Sequence, residues 1–88
     1  MAEKQGEKSD LEKSRDLISQ LKEMQHYSES NIEKLTEIWL QLDGELKQKQ
    51  TAARVEQLIA AENTFHDDLA AVISDFEIEC NRVENEGK

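Results

Sequence analysis

The chain has 88 residues, of which 36% are hydrophobic, 5% aromatic and 35% charged, with a net charge of −9. That length bounds one domain at most, and so few apolar residues exclude a large globular core. The acidic balance argues against direct binding to nucleic acid, to anionic membrane surfaces or to the acidic faces of tubulin or actin, since polyanions recruit proteins through Lys/Arg clusters.

Proline is absent, only Gly6, Gly44 and Gly87 interrupt the chain, and Glu, Lys, Gln, Leu and Ala dominate. These are strong helix formers, so the fold class is all-α. The apolar positions are periodic, which points to long helices with solvated outer faces rather than to disorder. Cys80 is the single cysteine, which rules out an intramolecular disulfide and implies a reducing, cytoplasmic setting. Among residues 1 to 16 only Met1, Ala2 and Leu11 are apolar, too few for a signal peptide or a membrane span.

Residues 1 to 8 read as a disordered polar tail. Ser9-Asp10-Leu11-Glu12 has the form of a capping box and should start a helix running to about residue 43. A spacing of three and four carries Leu11, Ser14, Ile18, Leu21, Gln25, Ser28, Ile32, Leu35, Trp39, Leu42 and Leu46 along one row, with Leu17, Met24 and Ile38 on the row beside it. Gln25 and Ser28 interrupt the stripe, and Ser30-Asn31-Ile32-Glu33 is itself a capping box. A break near Ser28 to Ser30 is the alternative to a continuous helix; no Gly or Pro is there to turn the chain, which favours continuity.

Asp43-Gly44 is the clearest turn signal, because glycine takes the left-handed conformation that ends helices at little cost. The turn should occupy about residues 44 to 50, with Thr51 capping the next helix. The second helix should run from about 51 to 84, with residues 86 to 88 frayed. Val55, Leu58, Phe65, Leu69, Val72, Phe76 and Val83 share its stripe; Ile59, Ile73 and Cys80 lie beside it, and Glu62 is the one charge in the row.

Two such helices joined by a turn make an antiparallel hairpin over residues 9 to 85. A lone hairpin of this size covers only part of its apolar surface, and no disulfide or metal is available to staple it. The natural staple is a second copy, giving a dimer assembled as a four-helix bundle with Trp39 near the centre of the buried surface. The expected dimer interface comprises Ile32, Leu35, Ile38, Trp39, Leu42, Val55, Leu58, Ile59, Phe65 and Leu69.

Candidate chemistry is thin. Glu62 and His66 stand one helical turn apart with Asp67 and Asp68 following, but di-metal bundles use Glu-x-x-His on paired helices, and here a Glu-x-x-x-His occurs once. These residues read as a half-exposed histidine among surface acids, and His26-Tyr27 as part of the polar interruption of the first helix. Cys80 reads as a small buried apolar residue. No phosphate loop, nucleotide motif or Ser/His/Asp set is present, so the chain reads as non-enzymatic, with no cofactor and no metal.

Leu35-x-x-Ile38-Trp39-x-x-Leu42 followed by a turn resembles a signature near the N-terminus of the protein regulator of cytokinesis and anaphase spindle elongation family. Arg54-Val55-Glu56-Gln57 and Leu58 through Leu69 look like the helix that follows in that family. The resemblance covers about Ile32 to Val83. Gly44 stands one place later than in the family pattern, and the link from Trp39 to Arg54 is shorter. The resemblance implies the homodimerisation module of an antiparallel microtubule crosslinker at the spindle midzone, with docking of a kinesin tail on the same segment and a chain that continues beyond Lys88. The alternative is a small helical adaptor subunit that joins a hetero-oligomeric complex through the same apolar stripe.

Overall fold

A computed structural model describes residues 9–86; the expected tail at 1 to 8 and the last residues of the frayed end lie outside them. Helix α1 spans Asp10–Leu40, a π-helical turn occupies Gln41–Glu45, and helix α2 spans Lys49–Glu86. The two helices lie antiparallel in a long hairpin. Its Cα atoms extend 65 × 26 × 13 Å with a radius of gyration of 19.7 Å, against about 12 Å for a compact domain of this length. The hairpin is a single layer, two helices wide and one helix thick.

The start of α1 follows from four residues. The Ser9 hydroxyl accepts from the Glu12 amide at 3.1 Å, and the Glu12 carboxylate accepts from the Ser9 amide at 3.0 Å. This reciprocal box satisfies two amides that the first turn otherwise leaves unpaired. Helix α1 then runs without interruption through Ser28, Glu29 and Ser30. Ser28 is tolerated inside it because its side chain has a partner on α2.

The reversal differs from the expected one. Gly44 lies within the π-helical turn, and the residue with left-handed backbone is Lys47, at φ 55°. The turn is built from backbone bonds, Leu46 N–H to Gln41 O at 2.9 Å and Gln48 N–H to Leu42 O at 2.6 Å. Lys49 Nζ clasps it by donating to the Asp43 carbonyl and carboxylate, both at 2.9 Å. Helix α2 accordingly begins two residues before Thr51, which lies inside it; the Gln48 carbonyl accepts from the Ala52 amide.

The row read from α1 faces α2 except at its end: Ile18 and Ser28 are buried, and Leu11, Leu21, Ile32, Leu35, Trp39 and Leu42 are half-buried, whereas Leu46, past the π-helical turn, is exposed. On α2 the expected stripe needs correction. The seam is formed by Ala52, Val55, Ile59, Glu62, His66, Leu69, Ile73, Phe76 and Cys80, all buried or half-buried, whereas Leu58, Phe65, Val72 and Val83 are exposed. One partner helix covers only two adjoining rows, so apolar residues on a third row are left outside.

The tightest packing lies towards the open end, where Ile18, Leu69, Ile73 and Cys80 form the core with Leu11, Leu21 and Phe76 against it. Cys80 is 2% exposed and free, as a small apolar core residue would be. Towards the turn, Ala52 and Val55 are buried.

Candidate interaction surface

The two long edges of the hairpin differ in chemistry. On one, the residues that follow the seam positions pair across the helices: Arg15 with Glu84 at 2.8 Å and Lys22 with Glu77 at 2.8 Å. Trp39 Nε1 donates to Glu56 at 2.8 Å, and His66 Nε2 lies 3.0 Å from Glu29. An antiparallel pair brings like heptad flanks together, so the residues that precede the seam positions share the opposite edge. On α1 these are Leu17, Met24, Asn31 and Ile38; on α2 they are Leu58, Phe65 and Val72.

The six apolar members of this second edge are between 43% and 55% exposed. Asn31 and Leu35 of α1 together with Leu58, Ala61 and Phe65 of α2 line one open groove, flanked by Lys34 and Glu62, which places both rows on the same side. Single exposed apolar residues are ordinary on a protein surface, but two parallel rows at seven-residue spacing are the seam of a further helix contact.

The residues expected at a dimer interface therefore fall into two groups. Val55 and Leu69 are buried between α1 and α2, and Ile32, Leu35, Trp39, Leu42 and Ile59 are half-buried in the same seam. Ile38, Leu58 and Phe65 stand on the exposed edge, where Leu17, Met24 and Val72 join them. Trp39 is engaged within its own chain near the turn. The signal that identifies the added residues is the period of seven from Leu17 to Met24 and from Leu58 through Phe65 to Val72.

The middle of the seam is polar. Ser28, 1% exposed, donates to Glu62 Oε2 at 2.7 Å. His66 lies beside it in the seam, against Glu29 and 3.8 Å from Asp67. Among the described residues no group of three His, Cys, Asp or Glu side chains is placed to hold a metal ion. Glu62 and His66 are each engaged with α1, which makes them interhelical contacts rather than surface groups. His26 and Tyr27, between Gln25 and Ser28 at the polar interruption, have exposed side chains with ring centroids 6.0 Å apart.

Near the end of α2, Arg82 pairs with Glu79 and Glu86. The hydrogen bond from Arg82 holds the Glu79 carboxyl below the usual glutamate range, and the same contacts raise Arg82.

Fold and surface together define an antiparallel two-helix hairpin with one ion-paired edge and one apolar edge. No protein-family model, no curated protein and no solved structure matches the chain. No helix among the described residues is long and apolar enough to cross a membrane.

Proposed function

We propose that this chain is a non-enzymatic association module that pairs with a second copy of itself through the apolar edge. One observation carries the reading: Leu17, Met24 and Ile38 share an edge with Leu58, Phe65 and Val72, while the cross-helix ion pairs Arg15–Glu84 and Lys22–Glu77 occupy the other. Among the described residues nothing covers that edge. The rows extend from Leu17 to Ile38, about 32 Å of helix, and two helix widths make a face of ~600 Å² per copy. Two copies would bury ~1,200 Å² in total, within the range of specific interfaces.

The setting is proposed from the resemblance of the segment around Ile38-Trp39: a dimerisation module of a spindle-midzone microtubule-bundling protein, with the lattice contacts made elsewhere and a kinesin tail as a further partner. A second reading, a helical adaptor subunit in a hetero-oligomeric complex, is favoured by the groove beside Asn31. There the α1 row lacks an apolar side chain, leaving room for a large residue of a foreign helix.

Light scattering across a dilution series separates the two. Pairing gives twice the 10.1 kDa chain mass, and Leu58→Lys with Phe65→Lys returns the monomer without loss of helicity, because both side chains project from the hairpin. A monomeric wild-type chain at high concentration overturns self-pairing and leaves the adaptor reading.

A further inference from the structure

Resting on the self-pairing reading, we infer that the two hairpins lie in the same direction, turn beside turn, with α1 of each copy over α2 of the other. Two identical elongated faces laid lengthwise on one another by a two-fold axis have two arrangements. An axis along the hairpin places α1 over the partner's α2. An axis across the hairpin places α1 over α1 and α2 over α2, with the turns at opposite ends.

The register of the hairpin decides between them. Cross-helix contacts set which residues stand level: Arg15 with Glu84, Lys22 with Glu77, Trp39 with Glu56. By that register Met24 is level with Val72, Asn31 with Phe65 and Ile38 with Leu58. Same-direction pairing lays each of these α1 residues over its α2 counterpart in the other copy, and the Phe65 ring meets the gap at Asn31.

The outer margins of the apolar edge add one polar match. On α1 the margin carries Lys13, Gln20, Tyr27 and Lys34; on α2 it carries Arg54, Ala61, Asp68, Asp75 and Arg82. In the same direction Tyr27 comes level with the acidic Asp68 of the other copy, a donor facing an acceptor, and this happens twice. Lys13 comes level with Arg82, whose charge Glu79 and Glu86 already hold. In opposite directions the two-fold axis that best overlaps the apolar rows falls within a turn of Asp68. Passing level with Asn31 and Phe65, that axis pairs Met24 with Ile38 and Leu58 with Val72, but it sets the Phe65 ring on its own symmetry mate instead of on the gap at Asn31.

The test is a distance between turns. Gly44 is exposed, and nothing lies within 4 Å of a side chain placed there. A spin label on Gly44→Cys, with Cys80→Ala removing the native thiol, reports the separation by double electron–electron resonance once circular dichroism shows the helices retained. Same-direction pairing gives a distance below ~25 Å, and the opposite arrangement gives more than ~40 Å because about 15 residues of helix separate each turn from the axis. A long distance in a sample of dimeric mass overturns the orientation and leaves self-pairing standing. A labelled chain of monomeric mass overturns self-pairing, and the orientation with it. Asp68→Asn is an independent readout: in the same-direction dimer it removes the charged acceptor level with Tyr27 and weakens pairing several-fold, whereas in the opposite one it leaves pairing unchanged.

Discussion

The reversal of the chain depends on a lysine. Lys47 adopts φ 55° although a Cβ makes that region costly, so Lys47→Gly should stabilise the hairpin by about 0.5–1 kcal/mol in chemical unfolding. Gly44, three residues earlier, is helical and has open space around its Cβ position. Gly44→Ala should therefore stabilise by about 0.4–1 kcal/mol through the unfolded chain; destabilisation would show that the turn needs glycine there. Ser28 is a different kind of residue, buried with a single side-chain partner. Removing its hydroxyl in Ser28→Ala leaves Glu62 half-buried without its donor, which should cost about 1–2 kcal/mol. At the end of α2, Arg82 keeps Glu79 ionised below the usual glutamate range. A group lowered on folding stabilises above its unfolded pKa, and that contribution is lost as pH falls through the lowered value. Carboxyl NMR titration should find Glu79 titrating below an ordinary glutamate, and Arg82→Ala should bring it back up.

At the scale of the element, α2 is apolar on more rows than one partner helix covers. Leu69 and Ile73 are buried against α1, while Leu58, Phe65 and Val72 stand outside. Substitutions on the two rows should separate cleanly. Leu69→Ala removes part of the core formed with Ile18, Ile73 and Cys80 and should cost about 2–4 kcal/mol of hairpin stability. Leu58→Lys should leave the monomeric hairpin within about 0.5 kcal/mol of its starting stability, as surface changes do. The core of Ile18, Leu69, Ile73 and Cys80 lies towards the open end of the hairpin. The turn end rests on smaller buried residues, Ala52 and Val55. Native-state hydrogen exchange should therefore find the slowest amides of α2 around Leu69 to Ile73 rather than near the turn, since local opening follows the density of buried apolar contact.

For the whole molecule, a layer only 13 Å thick leaves an apolar edge in water along both helices. Thermal stability should accordingly rise with protein concentration, as for any protein whose association state is favoured over the free chain. Circular dichroism melts at two concentrations a hundredfold apart check this.

Much of this architecture was legible because helical periodicity is local. The box at Ser9 and Glu12 and the row from Leu11 to Leu42 stand out because the residues between them are mostly polar. On α2 the neighbours Leu58 and Ile59, or Val72 and Ile73, are apolar in pairs, so the period alone does not say which member faces inward. Asp43-Gly44 pointed to the right neighbourhood for the reversal but to the wrong residue for the left-handed backbone, because backbone bonds from Leu46 and Gln48 shape the turn. The candidate surface was half visible: Ile38, Leu58 and Phe65 were among its expected residues, mixed with Val55 and Leu69, which the chain buries against itself.

The sequence by itself determined two long helices, their capped start, the break between them and the face that α1 turns inward, since each depends on residues within a few turns of one another. Only the tertiary structure decided which row of α2 meets that face, that Glu62 and His66 lie in the seam against Ser28 and Glu29, and that one edge is ion-paired while the other is apolar. Those outcomes depend on the register of one helix against the other, a relation between residues some thirty to seventy positions apart that no local period contains.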